Sequence, residues 1–431
     1  MTIKKIFLFW VPLAATWLMM AVEGPFLAAV IARLQNPKYN LAAYGVAFSF
    51  AILIEAPIIM ITSASTALVK DQVSYMKLRN FTFFLNFMVT LIMIVFLIPN
   101  VFFFVTRDLM NLDKSIAELT HQTTMFLIPW AAAIGYRRFY QGILIRNNLT
   151  RRVAYGTVFR LLTMSSVAVI SYLFTSLKGA FVGGAALCCG VLAEAVISRI
   201  MAHSSIKKVN QINDTDKKRF RYRFITKFYY PLALTSILSL GIHPLVTFFM
   251  GQSRMPLESL AVLPVINSLV FIFRSTGLSF QEVGIALLDK KNKAFPVLRK
   301  FAVLLGLGAS LGLSLVAFTP LSEVWFQQIS GLSGELSRFA VRPTQILFLL
   351  PGLSVMLCFQ RAIIIKKEKT KPVTIATAVE LIGVIIFLIF TIHWFNWVGA
   401  VCAAVSMTLG RLAADIYLLR PFSRALHISA D

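Results

Sequence analysis

Acidic residues are scarce in this sequence, and charged residues of both signs together make up little of it. Only 14% of its 431 residues are charged, with 18 Asp or Glu against 42 Lys or Arg, whereas 58% are hydrophobic. The longest polar stretch runs from about Ser204 to Arg223, which leaves no room for a soluble domain. Apolar runs of about 18 residues or more are long enough for helices that cross a bilayer. The sequence therefore predicts an all-α polytopic membrane protein.

Motifs that would support ATP hydrolysis or metalloprotease chemistry are also missing. The sequence has no P-loop of the form GxxxxGK[ST], which argues against ATP as the energy source, and it has no HExxH motif. We expect neither an enzyme, nor a metal site, nor an organic cofactor. The four cysteines lie in apolar segments without the spacing of metal ligands, and they are predicted to be small buried hydrophobes: Cys188, Cys189, Cys358 and Cys402.

What the sequence does contain is a long internal repeat. The segment Phe9–Thr16 (FWVPLAAT) returns in the second half of the chain as Phe228–Thr235 (FYYPLALT), and the same interval carries Pro25 onto Pro244. The register holds without a gap to the end of the second apolar segment of each half. A repeat of this length indicates that the protein consists of two copies of one half.

Six membrane spans are predicted in each half. The twelve apolar segments lie near residues 6–34, 40–69, 80–105, 118–145, 152–176, 179–202, 224–251, 257–288, 297–320, 338–365, 372–394 and 397–420. An even number of spans gives both halves the same orientation, so the symmetry axis should lie along the membrane normal. We predict an N-lobe at 1–203 (spans 1 to 6), a basic cytoplasmic linker at 204–223 and a C-lobe at 224–431 (spans 7 to 12).

The distribution of lysine and arginine predicts the orientation in the membrane. The termini and the loops after even-numbered spans hold 31 of these residues, the opposite loops hold 8, and three lie inside spans: Arg160, Arg274 and Arg411. The positive-inside rule places both termini and the basic loops in the cytoplasm, and we expect the protein in a bacterial cytoplasmic membrane. The net charge of +24 is then explained by topology and by attraction to anionic lipid headgroups, without nucleic-acid binding.

Two pairs of equivalent positions inside the spans carry opposite charges. Glu55 in span 2 corresponds to Arg274 in span 8, and Arg160 in span 5 corresponds to Glu380 in span 11. An ionisable group within a bilayer is costly and usually faces a partner or water. One hypothesis is that Glu55 and Arg274 meet where the two lobes touch, so that their ion pair latches alternate states. The alternative is that each charge is satisfied locally by its own neighbours.

The first and seventh spans contain candidates for ion coupling. Glu23 lies just before Pro25, which frees backbone carbonyls and favours a proton or Na⁺ site beside the carboxylate. In the seventh span, His243 precedes Pro244 and can exchange a proton with Glu380, although a hydrogen-bonded structural histidine fits the pattern equally well. Both prolines are predicted hinges.

Charged residues also lie toward the cytoplasmic ends of the spans. Arg137 and Arg138 in span 4 either attract an anionic substrate or extend to lipid headgroups. On the last span of each half, Glu194 with Arg199 and Asp415 with Arg420 are predicted to be either local ion pairs or charges at helix ends.

At this point the residues resemble a known family. Two six-span repeats, an acid beside a proline in the first span and the turn from Tyr140-Gln141-Gly142 to Thr150-Arg151 resemble the multidrug and toxin extrusion (MATE) transporters and the wider MOP flippase superfamily. Within it, Val11-Pro12-Leu13 and the stretch LAAYGVAFS at 41–49 are similar to the progressive ankylosis (ANK) branch, whose members export small organic anions.

The resemblance implies two lobes that rock between outward-open and inward-open states, driven by H⁺ or Na⁺. It places a first-lobe cation site at the span 1 acid, where Glu23 stands, with polar groups from spans 5 and 6. Arg160 on span 5 departs from that pattern because it can neutralise Glu23 itself. A second-lobe site in some relatives uses a span 11 acid, where Glu380 stands, and a polar group on span 7, where His243 stands. The resemblance therefore favours proton coupling through Glu380.

Three functional hypotheses follow. The first is a secondary active transporter that exports a small organic solute, anionic or amphiphilic, by alternating access as a monomer. The second is a flippase for a lipid-linked precursor, which would need Arg137, Arg138 and Arg274 around one water-filled lateral opening. The third, an embedded enzyme or a scaffold, would show an unrepeated cluster of acids, histidines or cysteines, whereas the charges here are spread over both halves.

Overall fold

Helices make up nearly all of the chain. A computed structural model describes residues 2–147, 149–212, 221–288, 294–367 and 371–427, and these residues form no strand beyond one isolated bridge between Arg254 and Val398. The predicted linker begins as a helix, and its residues 213–220 lie outside the described residues.

The described α-helices are numbered here in chain order. The first eleven are α1 (Ile3–Ala21), α2 (Glu23–Ala32), α3 (Pro37–Glu55), α4 (Ile61–Leu68), α5 (Gln72–Phe96), α6 (Pro99–Phe103), α7 (Lys114–Met125), α8 (Ile128–Arg146), α9 (Thr150–Phe174), α10 (Gly179–Met201) and α11 (His203–Asn210). The others are α12 (Tyr222–Leu240), α13 (Ile242–Gly251), α14 (Pro256–Leu287), α15 (Phe295–Phe318), α16 (Leu321–Glu323), α17 (Gly334–Ile346), α18 (Leu350–Lys366), α19 (Lys371–His393) and α20 (Gly399–His427).

Eleven helical stretches of the described chain are long and apolar enough to cross a membrane. Large apolar side chains such as Phe87 on α5 are exposed on them, as expected for faces in contact with lipid. The fourth predicted span is present as α7 and α8, but it is interrupted between them and three arginines lower the hydropathy of α8. The prediction of an all-helical polytopic membrane protein is confirmed, with eleven rather than twelve helices meeting the criteria of length and hydropathy.

The third membrane-spanning helix begins earlier in the chain than the sequence predicts. Helix α5 starts at Gln72 rather than near residue 80, because Asp71 and Ser74 form a capping box: Ser74 N donates to Asp71 Oδ1 at 2.8 Å, and Asp71 N donates to Ser74 Oγ at 3.0 Å. Lys77 and Arg79, which the assignment places in a loop, lie within the helix.

The first and seventh spans are both interrupted in the middle. Helix α1 gives way to α2 at Val22, and α12 gives way to α13 at Gly241, in each case three residues before a proline. Pro25 and Pro244 have no N–H to donate to the carbonyl four residues earlier, so the helix cannot continue unbroken. The bends that the sequence predicted are present, and their use as hinges stays a prediction.

Unusual backbone features also repeat. Left-handed φ angles occur at Asn36 (50°) and Asn111 (57°) of the first half, and again at the corresponding Met255 (55°) and Gly331 (73°) of the second half. A π-helix precedes the second position of each half, at Phe104–Leu109 and Val324–Ile329. Since backbone geometry of this kind is rare, its recurrence supports the repeat independently of side-chain identity.

Helix packing divides the chain into two compact units. The first unit comprises Met1–Ala42 and Leu245–Asp431, and the second unit comprises Ala43–Pro244. The predicted lobes at 1–203 and 224–431 follow the sequence repeat. In contrast, α1 and α2 of the first half belong to the first unit, and α12, the first part of span 7, belongs to the second unit.

An aromatic residue on α1 holds the first span within the first unit. The indole N–H of Trp10 donates to Ser279 Oγ at 2.8 Å and lies 3.4 Å from the carbonyl oxygen of Thr276, both on α14. The Trp10 ring also packs edge-on against Phe301 of α15, with centroids 5.9 Å apart. Ile6, one turn earlier, is completely buried in the apolar core of this unit.

The seventh span is held within the second unit in the equivalent way. The hydroxyl of Tyr229 on α12 donates to the carbonyl oxygen of Pro57 at 2.5 Å, and the ring packs edge-on against Phe81 of α5 at 5.5 Å. In the register of the repeat, these three residues correspond to Trp10, Thr276 and Phe301 of the first unit. The exchange of first spans is therefore reciprocal for their first helices, α1 and α12, and its contacts follow the repeat.

Candidate functional site

A buried ion-pair network lies among α8, α9 and α10 of the second unit. Its centre is the carboxylate of Glu194, which is 1% exposed. From α8, a terminal guanidinium nitrogen of Arg137 binds Oε2, and Gln141 Nε2 donates to Oε1 at 3.0 Å. From α9, Thr157 Oγ1 lies 3.4 Å from Oε1 and Arg160 Nε lies 3.5 Å from Oε2. Both carboxylate oxygens therefore have partners inside the protein, as a buried charge requires.

Glycines bring these helices close enough for the network to form. A Cβ at Gly190 of α10 would lie 2.9 Å from Met164 Cβ and 3.1 Å from the carbonyl oxygen of Arg160. A Cβ at Gly142 of α8 would lie 2.6 Å from the carbonyl oxygen of Thr62 on α4, so this glycine sets the packing of α8 against α4. These contacts are tighter than side chains tolerate, so α9 and α10 can pack this closely only with glycine at the crossing.

Glu55 ends α3 in the same unit and faces positive charge. It is 5% exposed, its Oε2 has no hydrogen-bond partner among the described residues, and it interacts electrostatically with Arg137, Arg138 and Arg160. A carboxylate at a helix C-terminus is disfavoured by the helix dipole, so the arginines offset an unfavourable placement. Arg138 is half-buried, and its Nε likewise has no hydrogen-bond partner in the described part of the chain.

The first unit has a corresponding ion pair between α19 and α20. Arg411 Nη2 lies 2.7 Å from Glu380 Oε1, and both side chains are largely buried. Two further arginines of this unit donate to hydroxyl groups. One bond runs from Arg361 Nη2 to Thr377 Oγ1 at 3.0 Å. The other bond runs from Arg274 Nε to Ser354 Oγ at 3.2 Å.

Asp415 is the second carboxylate of the cluster in the first unit. It is 4% exposed, and within the described ranges neither of its side-chain oxygens has a hydrogen-bond partner. Gln360 of α18 is completely buried and donates its Nε2 to the backbone carbonyl of Asp415 at 3.3 Å, while its own Oε1 has no partner there. The charges that act on Asp415 are Arg411, Glu380 and Arg361. The Asp415 carboxylate and Gln360 Oε1 are thus buried acceptors on hydrogen-bonded neighbours, and the described residues provide no donor for either of them.

The two ion pairs are inverted across the repeat. In the second unit the arginine is on α9 and the acid on α10, whereas in the first unit the acid is on α19 and the arginine on α20. The underlying geometry is the same: a Cβ at Gly410 would lie 3.0 Å from the carbonyl oxygen of Glu380, as one at Gly190 would lie 3.1 Å from that of Arg160. The interval from Gly190 to Gly410 in the sequence equals that from Arg160 to Glu380.

Glu23 and His243, the candidates beside the helix breaks, lie at the starts of short helices rather than in these networks. Glu23 begins α2 in the first unit and His243 follows the break before α13 in the second unit, and both are half-buried. Around Glu23, α2 packs closely on α14, since a Cβ at Gly24 would lie 3.1 Å from Ser268 Cβ. Their roles in ion coupling stay predictions.

Several predicted partnerships involve residues of different units. Glu55 and Arg274 each have neighbours of opposite charge or polarity in their own unit, and their pairing stays a prediction. The same holds for Glu380 with His243 and for Arg160 with Glu23. Within each unit, Glu380 is bound by Arg411 and Arg160 by Glu194.

The predicted local pairs are wrong. Glu194 is bound by Arg137 and Arg160 rather than by Arg199, which lies 5.2 Å over the ring of Tyr140 instead. The charges acting on Asp415 likewise do not include Arg420. Arg137 is buried against Glu194 and does not extend to headgroups.

Sequence reasoning missed the roles of two glutamines. Gln141 donates to the Glu194 carboxylate on α10, and Gln360 donates to the backbone carbonyl of Asp415 on α20. The two glutamines occupy corresponding positions of the repeat, and this correspondence is the sequence signal that could have identified them. Among the described residues no group of three or more His, Cys, Asp or Glu could hold a metal ion. The four cysteines are free, and Cys189 is exposed whereas the other three are buried.

One short string matches a hydrolase nucleophile elbow in its letters alone. The residues GASLG at 308–312 fit the pattern GxSxG, but they lie within α15, whereas an elbow needs a sharp turn from a strand into a helix. Ser310 Oγ accepts a hydrogen bond from Gly352 N of α18 at 3.1 Å. This serine therefore joins two packed helices.

Comparison with known proteins identifies the fold. No family model matches the sequence, and no curated protein matches it either. Among solved structures, an inward-facing multidrug resistance MATE family transporter of the MOP superfamily superposes with a TM-score of 0.76 at 12% identity, covering 96% of each chain. This likeness shows that the chain has the MATE-type fold.

Two further structures have the same fold. A MOP superfamily transporter from Pyrococcus furiosus Vc1, reported with a binding pocket of reverse polarity, gives a TM-score of 0.68 at 15% identity over 100% of this chain and 97% of that one. The lipid II flippase MurJ in an inward closed conformation gives 0.61 at 14% identity over 97% and 91%. None of these neighbours supports the resemblance to the ANK branch.

Proposed function

We propose that the protein is a MOP-type secondary transporter that exports a small organic solute, anionic or amphiphilic, by alternating access. The observation that carries the proposal is the charge of the two buried clusters. Each contains three arginines and two carboxylates: Arg137, Arg138, Arg160, Glu55 and Glu194 in the second unit, and Arg274, Arg361, Arg411, Glu380 and Asp415 in the first.

An excess of arginine inside the membrane favours an anionic ligand. Intramembrane charges that are not fully compensated are costly, and they usually line substrate or ion pathways. Arg138 is the strongest candidate for substrate contact, because it is half-buried and its Nε has no hydrogen-bond partner among the described residues. The Pyrococcus furiosus neighbour with a binding pocket of reverse polarity gives a precedent for a MOP transporter whose pocket charge differs from that of its relatives.

The free energy for transport comes from an H⁺ or Na⁺ gradient in this proposal. The lack of a P-loop in the sequence supports ion coupling over ATP, and buried carboxylates in both units offer groups that can exchange an ion. The reciprocal exchange of first spans and the breaks beside Pro25 and Pro244 supply elements that can move between two states. In the proposed orientation both termini are cytoplasmic.

The substrate class is tested with purified protein in liposomes. Uptake of labelled organic anions of one and two negative charges is compared with uptake of a quaternary ammonium dye, under an imposed pH or Na⁺ gradient. We expect gradient-dependent movement of at least one anion and none of the cation. Movement of the cation alone would contradict an anionic substrate.

Flipping of a lipid-linked precursor is the second candidate. The fold it shares with the lipid II flippase MurJ favours this reading, as does the number of buried arginines, since a lipid pyrophosphate is itself an anion. The two candidates are separated by adding a fluorescent anionic lipid and a membrane-impermeant quencher to the same liposomes. Protein-dependent quenching of lipid from the inner leaflet would favour the flippase, and its absence together with anion uptake would favour the solute exporter.

A further inference from the structure

Asp415 and Gln360 are buried acceptors on two helices that are joined at this level by a hydrogen bond. Both residues are at least nine-tenths buried, and together they present three side-chain oxygens for which the described chain provides no hydrogen-bond donor: the two of the Asp415 carboxylate and Oε1 of Gln360. The hydrogen bond from Gln360 Nε2 to the backbone carbonyl of Asp415 holds the amide against α20 at this residue. Unmade hydrogen bonds of buried acceptors are costly, and those of an ionised carboxylate are the costliest.

The corresponding acid of the other half has no such deficiency. Glu194 receives Arg137 and Gln141 from α8, with Thr157 and Arg160 from α9. Gln141 and Gln360 correspond in the repeat, and in the same register Arg137 corresponds to Met356. The neighbouring cation of α18, Arg361, donates to Thr377 instead of to Asp415. Arg160 likewise corresponds to Glu380, so neither of the two arginines that bind Glu194 has an arginine at its equivalent position in the first unit.

From this arrangement we infer that Asp415 is the proton-binding carboxyl of the protein, and that its bound proton bridges to Oε1 of Gln360. One O–H group supplies a donor for the Gln360 oxygen and removes the buried charge, which leaves one neutral oxygen of Asp415 as the remaining acceptor without a donor. The inference rests on the proposed function and deepens it, because it assigns the coupling ion and its site, and it replaces Glu380 as the residue expected to carry the proton. A Na⁺ ion would need more oxygen ligands than this pair provides.

The charged groups around Asp415 give the proton a way to leave. On α20 itself Arg411 precedes Asp415 by four residues, so the two side chains share one face of the helix. Arg411 is engaged by Glu380 of α19 and Arg361 of α18 by Thr377, while Cys358 of α18 also interacts with Asp415. If Arg411 turns from Glu380 to Asp415, the carboxyl ionises and its proton is released to solvent.

Infrared difference spectroscopy on the purified protein in nanodiscs tests this without a transport assay. We expect one protonated carboxyl band per molecule at mildly acidic pH, which shifts in D₂O, disappears at alkaline pH and is absent from Asp415→Asn. The variant Glu380→Gln should also lose the band, because it frees Arg411 to bind and ionise Asp415. A control variant, Glu118→Gln in the exposed pair with Arg107, should retain it.

Other outcomes would overturn the inference. These are a band that persists in Asp415→Asn, the absence of any protonated carboxyl band at acidic pH, and a band removed by Na⁺ rather than by alkali. If Asp415→Asn does not fold, Gln360→Leu serves instead: removing the acceptor should shift the band to higher frequency, and an unshifted band would contradict the bridge. Since no flux is measured, the inference and the proposed transport function can fail separately.

Discussion

Arg160 and Glu380 occupy equivalent positions in the two halves, and each forms an ion pair with the helix that follows it, with opposite sign. Arg160 lies 3.5 Å from Glu194, and Glu380 lies 2.7 Å from Arg411. The backbone beside both pairs is the same, with a glycine packed against the carbonyl of the charged residue. The fold thus accommodates a charge pair at this crossing in either direction, which leaves each half free to take on its own ion chemistry.

Breaking the ion pair of the first unit should destabilise the protein strongly. Glu380→Gln breaks this pair, and Arg411 can then turn to Asp415, which must lose its proton to receive it. We therefore expect a loss of about 3 kcal/mol in the free energy of unfolding, the low end of the range for a broken buried pair. The measurement is unfolding in detergent micelles. The matched control is Glu118→Gln in the more exposed pair with Arg107, with an expected loss of about 0–1 kcal/mol. Equal effects of the two variants would show that the buried pair is not structural.

Alanine substitutions at the two glycines where helices cross should also destabilise the protein. Gly190→Ala and Gly410→Ala introduce a Cβ at 2.9 Å from Met164 Cβ and at 2.5 Å from Val384 Cγ2, respectively. Over-packing of this kind costs roughly 1–3 kcal/mol. In contrast, Gly308→Ala on α15 meets no described atom within 4 Å, and it should be neutral or stabilise by up to about 1 kcal/mol. If unfolding measurements showed that Gly308→Ala lowers the free energy of unfolding while Gly190→Ala and Gly410→Ala do not, the helix packing described above would be contradicted.

The exchanged first spans predict a matched pair of effects. Tyr229→Phe and Trp10→Phe each remove the donor that anchors an exchanged span, and each should lower the free energy of unfolding by about 0.5–1.5 kcal/mol. Tyr230→Phe is the control, because this neighbouring side chain is 66% exposed. If only Tyr230→Phe had an effect, the exchange of spans would be in doubt.

Arg138 should affect substrate affinity more than stability. Arg138→Ala removes a half-buried cation whose Nε has no hydrogen-bond partner among the described residues. Arg137 and Arg160 still offset the charge of Glu55 in this variant, so the thermal unfolding midpoint should change little. A lost charge-assisted contact with an anion is worth roughly 1.5–3 kcal/mol, so the apparent KM for the anion should rise about tenfold or more. Arg138→Lys should restore part of the affinity. An unchanged KM would remove Arg138 from the substrate path.

Much of the architecture could be predicted from the sequence. The repeat indicated the positions of the helices, and the prolines at 25 and 244 marked where two spans break, because a residue without an N–H cannot continue the helical hydrogen bonds. The start of α5 does not follow from composition, because Lys77 and Arg79 resemble a basic loop, whereas the helix begins at the Asp71–Ser74 capping box.

The partners within the folded chain could not be predicted in the same way. Glu194 is bound by Arg137 from another helix, whereas a reading along one helix selects Arg199. The exchange of first spans was hidden for a related reason. When two halves have the same pattern of apolar residues, the pattern alone does not show whether a span packs on its own half or on the other, and only specific contacts such as that of Tyr229 with Pro57 distinguish them.

The central claim, ion-coupled transport of an organic anion, is tested most directly by flux into liposomes that contain only this protein. Uptake of a labelled organic anion is followed with an imposed pH gradient, with a Na⁺ gradient, and after an ionophore has collapsed each one. The account predicts anion movement that rises with the pH gradient and stops when that gradient is collapsed. Uptake that is the same with and without either gradient, or no anion uptake by correctly folded protein, would contradict it.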